Sequence, residues 1–302
     1  MHVQKTYFIE ASGLKSDRTI NEERESSELS LLRKIKLQTG KKLNTTFVGE
    51  YHSAFKGFGL SFESVREYQS GDDVRSIDWN VSARMNHLFI KEYIEERELS
   101  VVLMVDLSGS LEFGGRRSKR DVTLELVTLL LYLSQMNNDR VSVLLFTDRV
   151  EKFIRPRKGR KFILKVLDEI MKCEPAGRGT DIGAAVDFVS RVMKKRSVIF
   201  CISDFLDDSK NFQLKLRLLG RKHDIIPVQI SDPMEKEMRF FGLTEFMDLE
   251  TGKVFLSDTV PEKGHFPVLQ EMDAVFLDTG EPIEPALLKF FEKRNRTRLV
   301  RR

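Results

Sequence analysis

Cysteine is scarce in this chain: Cys173 and Cys201 are the only two in 302 residues. Both sit in apolar or helical contexts, which excludes a disulfide-stapled scaffold and predicts reduced, structural thiols. The five histidines are scattered without His or Cys ligand spacing, so a zinc site is not expected. No apolar run reaches the roughly 18 residues of a membrane span. The charged start Met1-His2-Val3-Gln4-Lys5 does not lead into a signal-peptide core, and the expected location is cytoplasmic. Neither a Walker-type loop nor a Gly-x-Gly-x-x-Gly following a strand occurs. Gly57-Phe58-Gly59 lacks the Lys-Ser/Thr that a phosphate loop requires and reads as a turn. The net charge of +4 is small. Basic residues do concentrate at the end, in Lys289, Lys293, Arg294, Arg296, Arg298, Arg301 and Arg302. They read as a solvated helix end, where cations suit the carboxyl terminus, rather than as a nucleic-acid surface.

A hydrophobic share of 41% and a charged share of 32% describe an ordinary globular protein, long enough for more than one domain. The most informative stretch is Val101-Val102-Leu103-Met104-Val105-Asp106-Leu107-Ser108-Gly109-Ser110. Five consecutive apolar residues suit a strand buried on both faces of a parallel sheet. Open α/β sheets bind ligands beyond the carboxyl ends of their strands, where Asp106, Ser108 and Ser110 fall. A carboxylate and two hydroxyls on one loop suit a hard cation such as Mg²⁺. Downstream, Gly177-Arg178-Gly179-Thr180-Asp181 is a glycine-rich loop before a helix capped by Thr180 or Asp181. A second buried strand, Ser197–Ser203, ends at Asp204.

Between residues 99 and 232 strands alternate with helices, the pattern of a parallel sheet with crossovers. Expected strands are Val101–Asp106, Arg140–Phe146, 197–203 and His223–Ile230, with a hairpin partner at Val150–Ile154. Expected helices are Ser118–Asn137, apolar nearly all round, Arg160–Lys172, Ile182–Lys194 and Ser209–Leu219. Residues 1–27 read as a poorly ordered arm, and residues 28–98 as an N-terminal region opening with a helix from Glu28 to Leu37. Residues 233–302 read as an accessory region with β segments at Lys253–Leu256 and Ala274–Leu277 and a closing helix at Pro285–Lys293.

The ordered set Asp106, Ser108, Ser110, Thr180 and Asp204 resembles the metal-ion-dependent adhesion site of the von Willebrand factor A superfamily. That resemblance implies that Ser108, Ser110 and Thr180 approach Mg²⁺ (or Mn²⁺) directly or through water, while Asp106 and Asp204 hold coordinating waters. The block Gly71-Asp72-Asp73-Val74-Arg75-Ser76-Ile77-Asp78-Trp79 is similar to the bacterial domain-of-unknown-function 58 family, a branch of that superfamily. With it go Glu95-Glu96-Arg97-Glu98, Asn138-Asp139-Arg140-Val141, His223-Asp224 and Asp232-Pro233. The expected fold is therefore α/β, von Willebrand factor A-like, a mostly parallel sheet flanked by helices, with a smaller accessory β-containing region. The resemblance implies an adaptor that docks through its metal, works with a MoxR-type AAA+ ATPase or its client protein, and does not itself turn over substrate. The alternative is a metal-dependent phosphatase using Asp106, but Ser108 stands where such enzymes need a second carboxylate. Asp72, Asp73, Arg75, Asp78 and Arg84 read as salt bridges and caps around a buried Trp79, pinning the accessory region to the sheet. The other reading makes this cluster a partner surface.

Overall fold

A continuous apolar run can be buried on both faces only at the centre of a sheet, and the strand Ser100–Asp106 (β3 below) takes that place. The structure, a computed structural model, describes residues 45–55, 60–95, 98–115, 117–206, 212–233, 235, 244–247, 254–257, 269 and 271–300. The arm expected over 1–27, the helix Glu28–Leu37 and the turn Gly57-Phe58-Gly59 lie outside the described residues. In chain order the elements are α1 (Thr45–Phe55), β1 (Leu60–Glu67), α2 (Trp79–Met85), β2 (Phe89–Glu95), β3, α3 (Lys119–Met136), β4 (Arg140–Phe146) and β5 (Val150–Arg157). They continue as α4 (Arg160–Met171), α5 (Ile182–Val192), β6 (Val198–Ser203), α6 (Phe212–Gly220), β7 (Asp224–Ser231), β8 (Thr244–Met247), β9 (Val254–Ser257), β10 (Val275–Asp278) and α7 (Ile283–Val300).

Six strands form one sheet in the order β10-β7-β6-β3-β4-β5. All neighbours run parallel except β5, which returns antiparallel along β4 at the edge. The expected α/β class with a mostly parallel, helix-flanked sheet is thus what the chain adopts. Two further pairs, β1 with β2 and β8 with β9, are small antiparallel ribbons. Alternate residues of the central strands divide between two layers. Val102, Met104, Leu144, Phe146, Ile199 and Cys201 pack with α5 and α6 in one cluster. Phe200 points to the other face, where its ring meets Phe55 of α1 at 5.9 Å. Phe291 of α7 stacks edge-on against Phe47, Tyr51 and Phe55 at 5.6–5.9 Å. Edge-to-face aromatic contacts of this kind add to simple area burial.

Two expectations are corrected here. The closing helix does not stop at Lys293 but runs to Val300, and the residues just past Lys293 are partnered. Asn295 Nδ2 donates to the Glu50 carbonyl of α1 at 3.3 Å. Arg294, far from solvated, is 9% exposed and pairs with Asp224 at 2.6 Å and Asp273 at 3.3 Å. The second correction is Trp79, which is 65% exposed rather than buried. It opens α2, a helix whose inward position is taken by Ser82, and the indole is left facing solvent.

A buried carboxyl also marks the start of β4. Asp139 is 2% exposed and accepts from the Leu99 amide at 3.0 Å and the Tyr51 hydroxyl at 3.2 Å. Burial is the main cause pushing it up to about 7, and Glu98 adds to the rise. An unfolded aspartate titrates near ~3.9. Asp139 therefore stabilises the fold most below that pH, and its contribution is lost as pH rises through about 7. Thermal unfolding followed from pH 6 to pH 8 is expected to show a falling midpoint, and Asp139→Asn should reduce that fall. An unchanged slope in the variant would exclude this role for Asp139.

Candidate metal centre

Strand β3 connects onward to β4 on one side, whereas β6 lies on its other side. The ends of β3 and β6 therefore flank the sheet's switch point, where α/β sheets open a crevice. Asp106 closes β3 there and is fully buried. Its Oδ1 accepts from the Ser108 amide at 2.8 Å and its Oδ2 from the Ser203 hydroxyl at 2.5 Å. Burial first, and then the charge of Asp204, pushes its carboxyl up to about 7. The loop beyond it brings the Ser108 and Ser110 hydroxyl oxygens to 3.2 Å from each other.

The glycine-rich loop approaches from the other side of the crevice. The Gly109 amide donates to the Arg178 carbonyl at 2.9 Å, which places Thr180 two residues from a main-chain tie to the serine loop. Asp181, not Thr180, caps α5, accepting from the Ala184 amide at 2.7 Å. Glu151 fastens the same loop by accepting from the Ala176 and Gly177 amides at 3.1 and 2.9 Å. A side chain on Gly177 would collide with Thr147 and Asp148, so the close approach of this loop to the end of β4 requires glycine.

Asp204 follows β6 and is 2% exposed. Its Oδ1 accepts from the Leu206 amide at 3.1 Å, while its Oδ2 accepts from Lys119 Nζ at 2.8 Å. The next residue, Phe205, is held in the left-handed region at φ 59° and is fully buried. Non-glycine residues in that conformation are uncommon and concentrate at functional sites. The structure therefore gathers Asp106, Ser108, Ser110 and Asp204 at one crevice and brings the Thr180 loop against it.

Three participants were not legible as site residues. Ser203 orients Asp106, and Lys119 reaches Asp204 and Glu235, the latter at 2.5 Å. The signal for Lys119 was a lysine on a helix that is apolar nearly all round, since such a charge must be paired when buried. Ser203 and Glu235 carried no local signal. Among the described residues the Asp72–Arg84 cluster makes several local bonds. Arg66 clasps Asp72 with two hydrogen bonds of 2.8 Å and holds that carboxyl down at about 2. Asp73 accepts from the Arg75 amide, and Asp78 caps α2 through the Asn80 and Val81 amides with Lys91 at 3.6 Å. Arg75 and Arg84 are exposed. These bonds fall within residues 66–91 and shape the β1–β2 ribbon and the start of α2.

The donor chemistry fits a hard divalent cation. Octahedral Mg²⁺ with ligands at about 2.0–2.1 Å places adjacent oxygens roughly 3 Å apart, close to the 3.2 Å between the Ser108 and Ser110 hydroxyls. Asp106 and Asp204 are the two carboxyls beside these hydroxyls, and the Asp204 charge is shared with the ammonium of Lys119. Among the described residues no three His, Cys, Asp or Glu side chains close on a common point. Any cation here would consequently depend on the hydroxyls as well as the two aspartates.

The family described as "Protein of unknown function DUF58" matches residues 64–264. The uncharacterized protein Rv1480 of Mycobacterium tuberculosis is 31% identical over 226 residues, 74% of this chain and 71% of that protein. The uncharacterized protein Mb1516 of Mycobacterium bovis matches to the same extent. Among solved structures the chain is similar to BatB, a conserved hypothetical protein of Bacteroides thetaiotaomicron, with a TM-score of 0.47 and 13% identity, covering 66% of this chain and 99% of that one. It is also similar to a von Willebrand factor type A protein from Catenulispora acidiphila, with a TM-score of 0.39 and 10% identity over 68% of this chain and 43% of that one. Among the described residues no helix is long and apolar enough to cross a membrane. With a family match over more than half of its length, the chain belongs to the DUF58 family.

Proposed function

We propose that this protein is a non-enzymatic, metal-dependent adaptor that docks a protein partner through Mg²⁺ (or Mn²⁺) held by Asp106, Ser108, Ser110, Thr180 and Asp204. The observation that carries this reading is the pair of hydroxyls 3.2 Å apart beside two buried aspartates at the switch point of the sheet. A cation bound largely by neutral hydroxyls stays electrophilic, and an acidic side chain of a partner can complete its shell. The partners in this reading are a MoxR-type AAA+ ATPase and its client complex, whose assembly or remodelling the adaptor would assist. ATP hydrolysis would be the work of the ATPase.

The hydrolase alternative asks Asp106 to act as a nucleophile. Both of its oxygens already accept hydrogen bonds, and Ser108 stands where such enzymes carry a second carboxylate. Those features favour docking over turnover. A second contact surface is favoured by Trp79, whose exposed indole stands near the exposed Arg75 and Arg84 in sequence. Large aromatic and arginine side chains are the residues most enriched at interface centres.

The test is a pull-down from the organism's own lysate with Mg²⁺ or with EDTA, alongside calorimetric Mg²⁺ titration. Thr180→Ala is expected to weaken Mg²⁺ binding about tenfold or more and to lose the ATPase or client, with the fold unchanged. An ATPase retained equally in EDTA would move docking to the Trp79 surface. Phosphate release from a general phosphatase substrate, abolished by Asp106→Asn, would overturn the adaptor reading.

A further inference from the structure

Among the described residues Lys119 is the one lysine or arginine that is buried. It is the first residue of α3 and is fully buried, a position lysine almost never takes without partners. The amino terminus of a helix also carries positive partial charge, so an ammonium there is disfavoured by the backbone as well. Two carboxylates hold it: Asp204 Oδ2 at 2.8 Å and Glu235 Oε1 at 2.5 Å. Phe113 covers it from a third side, its ring centroid 5.8 Å from Nζ. Burial acts to lower the lysine pKa, but Asp204 and Glu235 reverse that effect and hold it above its ordinary value. The two ion pairs are the geometry expected of a buried ammonium.

Its position ties that charge to the metal reading. Asp204 has one oxygen on the Leu206 amide and the other on Lys119, so the carboxylate that would help hold a divalent cation already neutralises an internal one. Glu235 is the opposing anchor, located just past β7, and its Oε2 accepts from the Asp232 amide at 3.3 Å. Resting on the adaptor reading above, we propose that Lys119 is a built-in counter-cation of the metal centre. Its ammonium, shared between Asp204 and Glu235, sets how tightly the site takes up a divalent ion. When the ammonium leans on Asp204, less negative charge remains for metal. Leaning on Glu235 frees Asp204.

The two ends of this bridge predict opposite effects, which a merely structural ion pair would not produce. Lys119→Met keeps the length of the side chain and removes the charge, and Mg²⁺ affinity measured by calorimetry is expected to rise about tenfold. The thermal midpoint of that variant should also gain more from added Mg²⁺ than the wild type does. Glu235→Gln removes the competing anchor, and Mg²⁺ affinity is expected to fall about three- to tenfold. Equal or weaker binding by Lys119→Met, with the wild type binding normally, overturns the counter-cation and leaves the metal centre standing. Should Lys119→Met fail to fold, Glu235→Gln decides alone: weakened binding supports the proposal and unchanged binding overturns it. A wild-type protein that takes up neither Mg²⁺ nor Mn²⁺ at millimolar concentration removes the metal reading itself, and the proposal with it.

Discussion

Arg294→Met is expected to destabilise the folded protein by about 3–5 kcal/mol, the range for removing one partner of a buried ion pair. The guanidinium is 9% exposed and bonded to Asp224 at the start of β7 and to Asp273 before β10. It also lies 5.0 Å from the Phe55 ring centroid and 5.5 Å from that of Phe290. One side chain thus joins α7, α1 and two strands. Methionine would restore some packing but would leave the Asp224 carboxylate, itself only 13% exposed, without its cation. Urea unfolding checks the value. A loss below about 1 kcal/mol, the size of a surface pair, would mean that water already shares the interaction.

The second large effect is expected at Asp106. Asparagine has the same shape and can still accept from the Ser108 amide, so Asp106→Asn should keep the loop geometry while removing the charge. Mg²⁺ binding should weaken by more than about 100-fold, because the remaining carboxylate, Asp204, is already shared with Lys119. Stability should change in the opposite direction. The wild-type carboxyl, raised to about 7 mainly by burial, stabilises the fold at acid pH and loses that contribution as pH rises through 7. The metal-free variant should exceed the wild type by about 2–4 kcal/mol at pH 8, from a shift of about three units at 1.36 kcal/mol each. Near pH 4 the two should converge. A variant less stable than the wild type at pH 8 that still binds Mg²⁺ would contradict both halves of this assignment.

Much of the sheet could be read in the chain. The strand expected at Arg140–Phe146 forms with those bounds, and the helix expected at Ser118–Asn137 forms as Lys119–Met136. Its boundary is legible because Ser118 and Asp121 make a reciprocal capping box, a purely local signal. Trp79 failed for the opposite reason. Aromatic residues are buried on average, but Trp79 is the first residue of a seven-residue helix that turns only Ser82 inward. The last two turns of α7 were also missed, since Glu292-Lys293-Arg294-Asn295-Arg296 looks solvated until Asp224, Asp273 and Glu50 are brought against it.

By itself the sequence determined which segments are buried strands and which loops follow two of them with aspartate and serine; the threonine of the glycine-rich loop comes instead from a helix-to-helix connection. Continuous apolar runs and capping residues act over a few residues and need no partner to be recognised. Tertiary structure alone decided that β6 lies beside β3, so that Asp204 faces Asp106 across the switch point. It also decided that the ammonium sharing this space belongs to Lys119, and that Glu235 holds its other side. Pairing between buried charges depends on which elements the sheet order brings together, and that order follows from packing across the whole core.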